Sequence, residues 1–160
     1  MKGLRLTVIV LALSCVFIGG APATAQNGAA ATLQELARAR AATAKYHTVE
    51  RAVADGYVAI GLYIPGEGLH YLKASLIDGI FDPEEPEILL YELGPGGRLH
   101  LVAVEYLVPL ALSADAPEGF TGDLDVWRED TEEFGLWELT AWIWLNNPAG
   151  IFEFFNVRVP

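Results

Sequence analysis

The sequence predicts an α+β domain: one long N-terminal helix packed on a curved antiparallel sheet of four or five strands. Three observations lead there. A run from Leu33 to Asp55 is rich in Ala, Leu, Arg and Glu and carries apolar residues at helical spacing. After Gly56 the chain changes to β-branched and aromatic segments separated by Gly, Pro and acidic turns. One of these, "RLHLVAVEYLVPL", is apolar on both faces, as a central strand covered on both sides would be.

The first 25 residues have the form of an export signal. Lys2 and Arg5 make a positive start, Leu6 to Ile18 is a short apolar core, and Ala23-Thr24-Ala25 offers a small-residue cleavage site. The apolar run is shorter than the roughly 20 residues of a membrane span. Export to the periplasm or the extracellular space is the expectation. Lipid anchoring at Cys15 is disfavoured, because Ala12 and Leu13 stand where a lipoprotein signal has a large apolar and then a small residue. About 135 residues remain after cleavage, enough for one domain over residues 32–160 behind a short flexible lead, 26–31. That mature chain has no cysteine, so neither a disulfide nor thiol catalysis is available.

The elements follow in order. Thr32 and Glu35 in "TLQE" have capping-box spacing. Leu33, Leu36, Ala37, Ala41, Ala44 and Ala52 form the apolar stripe of a helix roughly 35 Å long, with Gly56 as its C′ residue. Thr43, His47 and Thr48 are weak helix formers and mark a bend. "YVAIGLYI" and "LHYLKASLI" read as strands, then "DGIFDPEEPE" as an acidic turn. "ILLYEL" and "RLHLVAVEYLVPL" flank "GPGG", a hairpin signal. "SADAPEGFTGDLDVWREDTEEFG" reads as a long surface excursion with Arg128 as its only base. "LWELTAWIWL" is the last strand, and Asn147-Pro148 opens a short turn. An apolar pocket is expected between sheet and helix.

Charge narrows the partners. Without Lys2 and Arg5, 8 basic side chains face 21 acidic ones, a net charge of −13. Such a surface repels phosphate backbones and anionic membranes, so no nucleic-acid partner is expected. Asp123 and Asp125 supply oxygen donors but lack the spacing of a calcium loop. No phosphate loop, dinucleotide loop, zinc-protease helix or serine-nucleophile elbow is present.

The candidate site is a small polar set in apolar surroundings. Glu105 alternates with Leu101, Ala103 and Leu107, and an inward carboxylate must be paired, hydrogen-bonded or protonated. His70 alternates with Leu72 and Ala74 after a tight entry at Gly66 and Gly68. Thr140 alternates with Trp142 and Trp144, aromatics that could wall an apolar cavity. His47 and His100 are weaker candidates. The favoured function is non-enzymatic binding of a small apolar or aromatic ligand at His70, Glu105, Thr140, Trp142 and Trp144, with no cofactor and no metal. The alternatives are an acid–base enzyme with Glu105 as base and His70 as acid, a metal site on the same residues, or a purely structural role.

Taken together, "ATAKYHTVERAVADGY", "PGEGLHYLKASLIDGIFDPEEPEILLYEL", "RLHLVAVEYLVPL", "APEGFTG" and "LTAWIWLNNPAGIFEFFN" resemble a family of uncharacterised exported bacterial proteins. The resemblance covers nearly all of the mature chain and implies export and a shared fold, with no activity to transfer. Here Glu67 stands in place of the family's Met and Thr140 in place of its His. If the family site comprises His70, Glu105 and a second histidine, this chain has lost one imidazole at Thr140.

Overall fold

The structure, a computed structural model, describes residues 23–131 and 134–160. Nearly all of the segment read as an export signal, Cys15 included, lies outside the described residues, as do Glu132 and Glu133. It is an α+β fold with a 21-residue N-terminal helix and six antiparallel strands in one open sheet, ordered β1-β2-β3-β4-β6-β5. The strands are β1 (Val58–Ile64), β2 (Gly68–Leu72), β3 (Ile88–Leu93), β4 (Leu99–Pro109), β5 (Arg128–Asp130) and β6 (Leu136–Ala141). The extra strand is β5, three residues within the excursion that pair with β6 at the sheet edge. No helix of the described residues is long and apolar enough to cross a membrane.

The expected single helix is in fact three pieces: α1 (Ala23–Thr43), a 3-10 turn (Ala44–His47) and α2 (Val49–Ala54). The break falls on the weak helix formers. The Thr43 hydroxyl donates back to the Ala39 carbonyl at 2.7 Å, a contact that bends helices. Thr48 is extended, at φ −99 and ψ 103. The helix stop is the anticipated one: Gly56 takes φ +97, its N–H bonds the Val53 carbonyl, and the Tyr57 N–H bonds that of Ala52.

The helix start is different. α1 runs through residues 26–31, read from sequence as a flexible lead, and Thr32 is not its cap. The Thr32 hydroxyl is instead shared between the carbonyls of Gly28 and Thr121. The Glu35 carboxylate accepts from the Thr121 N–H at 2.7 Å and from its hydroxyl at 2.8 Å. The residues that resemble a capping box therefore clamp the excursion to the helix.

Two apolar clusters sandwich the sheet. On the helix side, Leu36, Ala39, Tyr46 and Ala52 pack with Leu89, Tyr91, Val104, Tyr106, Leu139 and Ala141. On the other side, Ile88, Leu90, Val102, Ala103, Leu107, Trp142 and Val159 pack together. A β-bulge in β4 sets this division. Leu90 pairs with Ala103 and Tyr91 with Leu101, which leaves Val102 with no partner. Leu101 thus faces the helix, whereas Ala103 and Leu107 face away from it. The freed Val102 carbonyl accepts the N–H groups of both Trp144 (3.2 Å) and Leu145 (3.0 Å).

Candidate functional site

The Gly66-Glu67-Gly68 segment fixes the first carboxylate. Ile64 to Glu67 form a β-turn closed by the Glu67 N–H on the Ile64 carbonyl at 2.9 Å. Pro65 and Gly66 are its central residues, with Gly66 at φ +89, as a type II turn demands. Gly68 follows at φ +100, and a Cβ there would lie 2.4 Å from the Tyr91 carbonyl oxygen. Only glycine fits such an approach. Glu67, between the two, is held almost fully buried, with 1% of its surface exposed.

Glu67 and His70 form the centre of the site. His70 Nε2 lies 3.1 Å from Glu67 Oε2, and Nδ1 lies 3.2 Å from the Gly68 carbonyl. Both ring nitrogens therefore face acceptors, which suits the imidazolium. Burial opposes that charge, but the hydrogen bond to Glu67, the field of Glu105 where that group is ionised, and the field of Glu67 prevail, and the His70 pKa is raised. Glu67 Oε1 has no hydrogen-bond partner among the described residues. An unpaired buried acceptor of this kind costs on the order of 1–3 kcal/mol.

Glu105 completes the group from β4. Its Oε2 is 3.9 Å from His70 Nε2, and its Oε1 accepts from the Thr140 hydroxyl at 3.1 Å across the β4–β6 pair. Burial pushes its pKa up to about 8; His70 opposes that shift, while Glu138 and Glu67 add to it. Glu105 thus holds its proton at neutral pH. Further along the same face, Glu138 is bound by Arg128, whose Nε lies 3.1 Å from Glu138 Oε2. The Arg128 guanidinium also lies over the Phe154 ring, 3.5 Å from its centroid. Burial raises the Glu138 pKa, and Arg128 opposes it.

Glu67, His70, Glu105, Glu138 and Arg128 line a cavity of about 650 Å³ walled by Ile60, Leu62, Ile64, Leu72, Leu107, Phe134 and Phe155 among others, whereas Thr140 touches Glu105 from outside that lining. The cavity lies on the sheet face away from α1, so the expectation of a pocket between sheet and helix is overturned. A second bulge shapes its wall. Ala59 pairs with Tyr71 and Tyr63 with Leu69, so Ile60, Gly61 and Leu62 together oppose His70. Gly61 takes φ +72, and Ile60 and Leu62 both reach the cavity.

His70, Glu105 and Thr140 are therefore brought together, but the two tryptophans are not. β6 ends at Ala141, where the Ile143 N–H turns back to the Ala141 carbonyl at 2.9 Å and breaks the alternation. Trp142 stays on the site face but packs with Ile88 and Val159, outside the cavity lining. Trp144 crosses to the helix side, where its indole N–H donates to the Thr43 hydroxyl at 3.2 Å and its ring meets those of His47 and the Arg40 guanidinium. Three site residues were missed from sequence: Glu67, Glu138 and Arg128. The signals were present, in a glutamate bracketed by two glycines and in a lone base within an acidic excursion. Among the described residues no three His, Cys, Asp or Glu are placed to hold a metal ion. No protein-family model, curated protein or solved structure matches this chain.

Proposed function

We propose that this protein is a binding module that takes a small apolar or aromatic ligand in the cavity on the open face of its sheet. One observation carries the reading: a cavity of about 650 Å³ has mainly apolar walls and, set among them, the polar cluster of Glu67, His70, Glu105, Glu138 and Arg128. That is the composition and the size range, roughly 300–1,000 Å³, of small-molecule sites. Curvature of the sheet belongs to the same proposal. Ile60 and Arg128 come from strands at opposite edges yet line one cavity. In a flat six-stranded sheet those edges would stand roughly 24 Å apart at about 4.8 Å per strand. Export and membership of the resembled family remain part of the proposal, and they would place binding outside the cytoplasm.

The binding reading is tested by methyl NMR during titration with lipid extract and small aromatic compounds. Shifts should concentrate on Ile60, Leu62, Leu72 and Leu107, and Leu136→Trp, which fills the cavity, should abolish them. No shift with any ligand class would sink it. Acid–base catalysis is the second reading, favoured by the 3.9 Å approach of His70 to Glu105. Its roles differ from those expected from sequence: a protonated Glu105 is the acid, and His70, with both nitrogens engaged, orients the neighbouring carboxylate. Turnover of ester or glycoside substrates that disappears in Glu105→Gln would support it, and turnover unchanged in that variant would reject it.

A further inference from the structure

Among the described residues, the polar floor of the cavity holds one buried acceptor without a donor. His70 spends one N–H on Glu67 and the other on the Gly68 carbonyl. Arg128 is committed to Glu138 and to the face of Phe154. The Thr140 hydroxyl donates to Glu105. Glu67 Oε1, in contrast, has no partner among the described residues, although Glu67 lines the cavity. Glu67 sits between two glycines at positive φ, Gly66 and Gly68, and its side chain is almost wholly buried. Glu105 and Glu138 line the same cavity, and Glu129 and Asp130 stand in its wall.

A ligand that complements this floor brings donors and positive charge. We propose that the cavity binds a primary amine, its ammonium donating to Glu67 Oε1 and to the Glu105 carboxyl, with an apolar or aromatic body lying against the Ile60, Leu62 and Leu107 walls. This rests on the binding reading above and specifies the head group. A carboxylate ligand meets Glu67 and Glu138, and the cationic side chains of the described lining, His70 and Arg128, already bind those two glutamates. A neutral alcohol can satisfy Glu67 Oε1 but gains nothing from the surrounding charge. Unlike His70, whose hydrogen bonds close within the protein, an ammonium has three donors and can serve both glutamates at once.

The test is a matched series of 4-phenylbutylamine, 4-phenylbutanol and 4-phenylbutyrate, titrated into the full protein at pH 7 and followed by methyl NMR and calorimetry. The amine should bind at least about tenfold more tightly than the alcohol, a charge-assisted hydrogen bond outweighing a neutral one, and the acid should bind most weakly. Glu67→Gln should bring the amine to within about threefold of the alcohol, because the amide keeps the shape and loses the charge. Alcohol or acid binding as tightly as the amine overturns the amine proposal and leaves the binding module standing. No binding by any of the three overturns the amine proposal, and the binding module then stands or falls on the titration with lipid extract. The series on the unmodified protein decides the matter even if Glu67→Gln does not fold.

Discussion

Replacing Glu105 by Gln should make this protein more stable at alkaline pH and leave it unchanged in mild acid. Glu105 is buried, with 2% of its surface exposed, and desolvation lifts its pKa from 4.5 to about 8. The folded state therefore holds a proton on this group where the unfolded chain has released it. Stability follows that difference: it is fully present below about pH 4.5 and falls as pH rises towards about 8. At about 1.4 kcal/mol per unit, the loss across the window is on the order of 3–6 kcal/mol. Glutamine has the shape of the protonated acid and no proton to lose, and its carbonyl can still accept from Thr140. Urea denaturation of both proteins from pH 5 to pH 9 would show it. The two should coincide near pH 5, and the variant should lead by several kcal/mol at pH 9. The raised pKa of His70 gives a loss of the same sign, since its stabilisation is present at low pH and falls as pH rises through its folded value. Glu87, lifted by burial to about 8, acts likewise. Glu87 is common to the two proteins and largely cancels in the difference, whereas His70 cancels only in part, because ionised Glu105 contributes to its shift. Parallel curves from pH 5 to pH 9 would refute the claim that Glu105 is protonated in the folded state.

Gly68→Ala should destabilise the fold by about 2–4 kcal/mol, since a Cβ would lie 2.4 Å from the Tyr91 carbonyl at φ +100; a loss below about 1 kcal/mol in urea denaturation would contradict that close approach. Tyr91→Phe removes the buried hydrogen bond to the Tyr46 carbonyl at 2.6 Å and should cost about 1–2 kcal/mol by the same measurement, with full stability counting against this anchor of the 3-10 turn. Trp144→Phe should lower stability by about 1–2 kcal/mol through loss of the Thr43 hydrogen bond and ring contacts. It should leave ligand affinity at the cavity unchanged, and a large drop in affinity on calorimetry would restore Trp144 to the site.

How much of this was legible in the sequence depends on where its periodicity holds. Leu136, Glu138 and Thr140 alternate in β6 and do share the site face, and Glu105 alternates with Ala103 and Leu107 as expected. Alternation fails wherever a residue is inserted. The Val102 bulge moves Leu101 to the helix side, and the turn after Ala141 does the same to Trp144. Hydropathy carries no mark of either event, because every residue concerned is apolar and would be buried on either face. Glu67 was hidden for a different reason. It lies in a turn, to which neither a period of two nor one of 3.6 applies, so nothing in the pattern says which way its side chain points.

The placement of the cavity turns on the same physics. A helix was expected to roof the pocket, but α1 and the 3-10 turn fill their face with Leu36, Ala39 and Tyr46 and leave the site to the other side. That other side has apolar cover only in part, from Trp142, Val159 and neighbours at one end. At the other end lie Glu67, His70, Glu105 and Glu138, each of which resists close apolar packing because its charge or hydrogen bonds need a partner. An arrangement selected for stability alone would be served as well by leucine at these positions, since replacing buried ion pairs with apolar residues is often neutral or stabilising. The sheet instead retains four titratable side chains beside an open volume, with one carboxylate oxygen unpaired among the described residues. That combination makes a ligand the simplest account of the polar cluster, and it is why the head group, rather than the apolar body, is the sharper thing to test.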